Sequence, residues 1–468
     1  MMTARTIIDK LWDTHRVQTV SETSDLLYID RIFLHERTGS IALRSLEESN
    51  REVRRPQAVF VTIDHIVDTM PGRGDRTMVP GGEAFIRATR ESAHAAGITL
   101  FDINDPRQGI VHVVSPELGI ALPGLTLVCP DSHTGTIGGL GALAWGIGST
   151  EAEHALATQT LVVQRPLQMR VTFSGQVRPE VSAKDLILYL IGRYSTSGGA
   201  GHAIEFAGPV MQRLSVESRL TLCNMAIEFG AWTGLVAPDE TTIEYVANKP
   251  YAPQRKRWTE AVRAWRDLPT DDSAVFDREL TVDVSNLGPQ VTWGTSPEQV
   301  ISIDSPIPYA DPHANTQVRE ALQRALAYMG LESGQKLAGL KIDAAFIGSC
   351  TNARLSDLRQ AAAILDERKI AGTVSALCVP GSSAVKRAAE NEGLDRIFKR
   401  AGFQWRESGC SMCFYAGGET FGPGKRIISS TNRNFEGRQG PGARTHLASP
   451  ATVAASAVLG RIGHAGEL

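Results

Sequence analysis

Residues 343–369 read DAAFIGSCTNARLSDLRQAAAILDERK. A short apolar run stops at Gly-Ser-Cys-Thr-Asn, and apolar residues at helical spacing take over directly behind it. That pattern predicts a buried strand, a polar turn and a helix. It recurs along the chain. AVFVTI (58–63) leads into Asp64-His65, LTLVCP (125–130) into Asp131-Ser132-His133-Thr134, and RIISST (426–431) into Asn432-Arg433-Asn434. TEAEHALATQTL (150–161) predicts a helix, with Thr150 and Glu153 at the spacing of a capping box. GSSAVKR (381–387) reads as a further strand-to-helix turn. Strand, turn and helix in repetition predict parallel α/β domains. Ligands of such sheets gather outside the carboxyl ends of the strands. The loaded strand ends therefore predict one shared cleft.

The chain has 468 residues, 42% hydrophobic and 21% charged, enough for roughly two or three domains. The stretch from about Tyr251 to Ser305, with YAPQRKRW, DLPTDDSAVFD and Pro-rich SPIPYADP at its end, is expected to link domains. A net charge of −3, with Lys and Arg dispersed, argues against a nucleic-acid partner. The N-terminus lacks the apolar core of a secretory signal, and no apolar run is long enough to span a membrane. Six cysteines are too sparse for a secreted disulfide scaffold, so a cytoplasmic protein with reduced thiols is expected.

Three of those cysteines stand apart. Cys410 and Cys413 form a CxxC, and Cys350 lies 60 residues upstream in its own polar turn. A CxxC suits a zinc half-site or a redox pair, but four zinc ligands are not evident, and a redox pair leaves Cys350 unexplained. Three thiolates also suit an iron–sulfur cubane whose fourth iron stays open as a Lewis acid. An electron-transfer cluster would more usually have four thiolates. Cys129, Cys223 and Cys378 sit in apolar runs and read as packing residues. Asp64-His65 and Asp131-Ser132-His133 each set a carboxylate beside an imidazole, an arrangement suited to proton transfer. His112 in GIVHVV and Glu228 in NMAIEFG are lone polar residues among apolar ones. Arg433, Arg438 and Arg444, with Asn432 and Asn434, form a loop suited to holding carboxylates.

Taken together, CPDSHT (129–134), NMAIEFG (224–230), IGSCTN (347–352), GCSMC (409–413) and TNRNFEGRQG (431–440) resemble the aconitase family, and the match runs from LLYIDR (26–31) to the C-terminal region. The resemblance implies three α/β/α domains around a central cluster cleft, over 1–166, 167–295 and 296–468, without the family's swivelling domain. It implies that Cys350, Cys410 and Cys413 hold one [4Fe–4S] cluster with one iron free of cysteine. It implies that Asn224, Asn432, Arg433 and Arg438 bind substrate, and that Asp64, His65, His112, Asp131, His133 and Glu228 are catalytic. A separate small subunit is then expected to supply the swivelling domain and a serine base, in a heterodimer or higher assembly. RTHLASP (444–450) and GSTEAEHALATQTL (148–161) resemble the split isopropylmalate branch of the family, in leucine biosynthesis. GTIGGLGALAWG (135–146), with Gly135 and Ile137, and IVDTMPGRGDRT (66–77) depart from that branch. They leave another substituted malate, such as methylmalate or citraconate, or homoaconitate, as alternative substrates.

Overall fold

The computed structural model describes residues 4–313 and 315–468. The chain divides into two compact units, each assembled from separated stretches. One comprises Met1–Val67, Pro80–Gln176 and Ser197–Ser285; the other comprises Asp68–Val79, Val177–Thr196 and Asn286–Leu468.

In the first unit five strands, β1 (Arg31–His35), β2 (Val59–Thr62), β3 (Thr99–Phe101), β4 (Thr126–Cys129) and β5 (Leu143–Gly146), form a parallel sheet in the order β3-β2-β1-β4-β5. Alternate side chains point to opposite faces. Phe33, Phe60 and Phe101 meet on one face, with centroids 6.0–6.3 Å apart. Ile32, Leu34, Val59 and Val61 belong to a second apolar core together with Ile7, Leu11, Leu43 and Leu156. Burial on both faces is why these strands read as unbroken apolar runs. A second parallel sheet contains Thr233–Leu235, His202–Ala207, Leu167–Ser174 and Arg278–Asp283, and a three-stranded antiparallel sheet contains Thr160–Gln164.

The second unit repeats the first unit's main layout. Strands β6 (Ala344–Ile347), β7 (Ser375–Cys378), β8 (Gln404–Trp405), β9 (Arg426–Ser429) and β10 (Arg444–Leu447) form a parallel sheet in the order β8-β7-β6-β9-β10. The helix behind β6 spans Leu355–Leu365, as its sequence predicts. Ser382 caps the helix Ser383–Asn391, confirming the strand-to-helix turn.

Two expectations need correction. The helix expected from Thr150 spans Ser149–Thr158 and starts from Gly148, whose N–H donates to Glu151 at 2.8 Å. Glu153 instead accepts from Ser45 Oγ at 2.7 Å, and Gln159, at φ 64°, turns the chain into the next strand. The expected link over 251–305 does contain the passage from the first unit to the second, at Ser285–Asn286, but it is more than a connector. It contributes the helix Lys256–Arg266, the edge strand Arg278–Asp283 and the hairpin Gln290–Thr292/Val300–Ser302. Trp265 anchors that helix in the core, an apolar hold that the surrounding Pro and charged residues mask. No helix among the described residues is long and apolar enough to cross a membrane.

Candidate functional site

The ends of β1, β2 and β4 carry the ionisable residues of the first unit. Asp64 follows β2. One of its oxygens lies 2.6 Å from His65 Nδ1, and the other accepts the Val111 N–H at 3.1 Å. The far nitrogen of His65 reaches Asp131 at 3.0 Å. His112 Nε2 lies 2.9 Å from the other oxygen of Asp131. The four side chains form a continuous line, Asp64–His65–Asp131–His112. A carboxylate at each nitrogen assigns His65 a proton on both. Burial pushes Asp131 upward, but the charge and hydrogen bonds of His112 and His65 prevail and hold it well below the usual carboxylate range.

His133 is not the side-chain partner of Asp131 that the sequence suggests. Its backbone N–H donates to Asp131 at 2.7 Å, but its ring nitrogen is 3.8 Å away, too long for a hydrogen bond. His133 Nε2 instead pairs with Glu228 at 3.1 Å. Two glycines allow this. A Cβ on Gly139 would come within 2.7 Å of the Leu220 nitrogen, and one on Gly138 within 1.7 Å of the Gly234 oxygen. Only bare backbone lets the turn Ser132–Leu140 lie against the strand Thr233–Leu235 at Gly138 and flat on the helix Val216–Ala226 at Gly139, beyond which Glu228 follows. Asn224, on the same helix, donates to Thr136 Oγ1 at 2.8 Å. Ile137 is fully buried, so this departure from the branch pattern falls on packing.

His35 and Glu36 escaped the sequence reading. They lie where β1 ends, so the strand-end rule applied to RIFLHE (31–36) would have found them.

The second unit carries the thiols. Cys350 follows β6 behind Ser349, a non-glycine residue held at φ 89°. Cys410 and Cys413 flank Ser411, at φ 47°. Strained backbone of this kind persists where surrounding bonds hold it. Glu419 does so here, accepting from the Ser411 hydroxyl and from Thr69 Oγ1 at 2.6 Å. Asn432, beyond β9, donates to Cys350 Sγ at 3.5 Å, and its oxygen lies 3.9 Å from Cys413 Sγ. Arg438 donates to Cys413 Sγ at 3.8 Å and lies over the rings of Phe414 and Phe435. Arg433 is half-buried in the same loop. Lys184, fully buried, donates to the Ser430 carbonyl at 3.0 Å and to that of Thr431, fixing the approach to Asn432. Arg444 does not join them; it bonds the Tyr328 carbonyl at 2.9 Å. Asn434 is a staple, donating to Thr292, Gly294 and Thr445.

The donor set suits an iron–sulfur cluster. Cys350, Cys410 and Cys413 are 6%, 7% and 7% exposed, and N–H donors face the Cys350 and Cys413 sulfurs, as stabilised thiolates require. The other cysteines do not suit one. Burial pushes the thiols of Cys129, Cys223 and Cys378 up, away from the metal-binding thiolate form.

Parallel sheets with ionisable residues at the ends of one and buried thiols at the end of the other define the class: the chain belongs to the aconitase family (aconitate hydratase), which matches residues 9–460. Membership implies a [4Fe–4S] cluster. Among its relatives, the "3-isopropylmalate dehydratase large subunit 1" of Bradyrhizobium diazoefficiens is 54% identical over 98% of this chain and 96% of that one. The "3-isopropylmalate dehydratase large subunit" of Roseiflexus castenholzii is 50% identical over 97% and 98%. A solved structure, aconitase X of Thermococcus kodakaraensis in its holo form, aligns at a TM-score of 0.46 and 13% identity over 87% of this chain and 84% of that one.

Proposed function

We propose that this chain is the large subunit of a [4Fe–4S] hydro-lyase that interconverts 2-isopropylmalate and 3-isopropylmalate by dehydration and rehydration, in leucine biosynthesis, together with a small partner subunit. The observation that carries the reading is the line Asp64–His65–Asp131–His112 in a chain that also buries the thiols of Cys350, Cys410 and Cys413. Names of relatives at 54% and 50% identity support the substrate and the partner.

Dehydration of a hydroxy acid meets two barriers: hydroxide leaves poorly, and a carbon acid beside a carboxylate is weak. Cys350, Cys410 and Cys413 would hold the cluster, leaving one iron without a thiolate to supply Lewis acidity at the substrate hydroxyl. His65 protonates the departing hydroxide with the Nε2 proton that it otherwise gives to Asp131, while Asp64 on Nδ1 stabilises its charged form and fixes its ring. His112 holds Asp131 in place, while Glu228 sets the orientation of His133 as a further acid. Arg433 and Arg438 take the substrate carboxylates and favour the charge that builds on them as the carbon proton leaves. Asn224 and Asn432 orient the bound acid. The carbon proton goes to a base on the small subunit. Re-addition of water in the other orientation completes the isomerisation.

The test is anaerobic. The chain is loaded with iron and sulfide, the small subunit is added, and alkene absorbance is followed from 3-isopropylmalate. Turnover that vanishes without the small subunit is expected. An intact cluster and bound partner without turnover, accompanied by turnover of methylmalate or homoaconitate, would overturn the substrate assignment.

A further inference from the structure

Glu36 and His35 stand directly beside His65 and have no part in the reaction described above. Glu36 is fully buried, and its two oxygens accept three successive backbone N–H groups: Asp64 at 3.0 Å, His65 at 2.7 Å and Ile66. One side chain thus holds the whole turn that presents His65. The His35 ring lies against the His65 ring, with centroids 3.9 Å apart and planes 17° from parallel. Its Nε2 faces the Pro130 carbonyl at 3.1 Å and the Thr38 hydroxyl at 3.0 Å; a proton on Nε2 serves both, since the carbonyl can only accept and the hydroxyl can accept while donating to the same carbonyl. Its Nδ1 has no hydrogen-bond partner among the described residues, and the ring is 2% exposed. Burial, then the nearby charge of His65, lowers the His35 pKa to about 4. A neutral ring therefore stacks on a doubly protonated one, an attraction of the cation–π kind. His35, Glu36, Asp64 and His65 also lie close enough together for one metal ion, but Glu36 has both oxygens committed to amides.

We propose that Glu36 and His35 are positioning residues that fix His65 between Asp64 and Asp131 as a doubly donating imidazolium. The groups facing His65 are then Asp64, Asp131, Glu36 and His35. The inference rests on the role given to His65 above, so its test includes a measurement that needs no substrate.

The full chain, labelled with ¹⁵N-histidine, loaded with its cluster and joined to the small subunit, is titrated by NMR, with the His65 ring assigned from His65→Gln. Glu36→Gln is expected to lower the protonation midpoint of His65 by about one pH unit. It is also expected to lower kcat by about 10- to 100-fold with KM little changed. The basic limb of the pH profile should move down with the midpoint. Glu36→Asp keeps the charge and should restore most of the midpoint. His35→Leu, which spares the amide cradle, should shift the midpoint in the same direction by less, and serves if Glu36→Gln does not fold. Folded, iron-loaded Glu36→Gln or His35→Leu with an unchanged midpoint and unchanged kcat would overturn the proposal. A midpoint that moves in a protein that does not turn over isopropylmalate leaves the positioning intact and removes the substrate assignment.

Discussion

The two five-stranded sheets are wound alike and equipped differently. In each, the chain lays down three strands in one direction and returns to add two on the other side of the first strand, so the order reverses beside β1 in one and beside β6 in the other. At the first reversal stand carboxylates and imidazoles paired at 2.6–3.1 Å. At the second stand thiols, Asn432 and Arg438. Topology decides where a parallel sheet places its polar strand ends, and the turn sequences alone decide which side chains stand there.

Damage to the two strand-end groups is expected to register on different instruments. The largest effect is expected from Cys350→Ser. Iron per chain falls, and loss of Lewis-acid assistance worth several kcal/mol lowers turnover on the order of a thousandfold or more. Iron analysis and anaerobic kinetics check both. Glu228→Gln is expected to keep its iron and lose about 10²- to 10⁴-fold in kcat, since His133 loses its charged partner. Iron loss in that variant would abolish the separation.

Acid should also separate the units. Each buries a neutral histidine: His35 is lowered to about 4, by burial and then by His65, and His446 to about 3, by burial and then by Arg426. With folded pKa values below the unfolded one, the unfolded chain takes up protons first as the pH falls. Stability is therefore full above about pH 6.5 and declines below it by about 1.4 kcal/mol per pH unit for each histidine. The decline ends near pH 4 for His35 and near pH 3 for His446. Hydrogen exchange at stepped pH should show the second unit losing protection over the wider range. His446→Gln should flatten that decline. The smallest effect is expected from Thr136→Val, which removes the acceptor of Asn224 and should cost about 1 kcal/mol in denaturant melts without changing iron content.

Much of this was legible in the sequence, because a buried parallel strand ending in polar residues has little other reading. AVFVTI, LTLVCP, DAAFIGS and RIISST all hold strands where their apolar runs predict them. Local rules failed where the partner is distant in sequence. The carboxylate nearest His133 in the sequence is Asp131, while its side-chain partner is Glu228, 95 residues on. Only the bare backbone of Gly138 and Gly139 hints at that close approach. The arginines of the 433–444 loop look equivalent in the sequence. Yet Arg444 lies in β10 with its guanidinium on a backbone carbonyl, whereas Arg438 faces a sulfur.

The interleaved make-up of the two units has a consequence for biosynthesis. Residues 68–79 and 177–196 leave the ribosome early but belong to the unit completed only by 286–468. During translation the first unit has all its parts by residue 285, while those two stretches must wait as unfinished loops for the rest of the chain. A fragment ending at residue 285 would therefore carry the whole first unit together with two orphan segments, whereas no continuous fragment holds the second unit without parts of the first, and a stalled ribosome near residue 300 would expose those segments to proteases and chaperones.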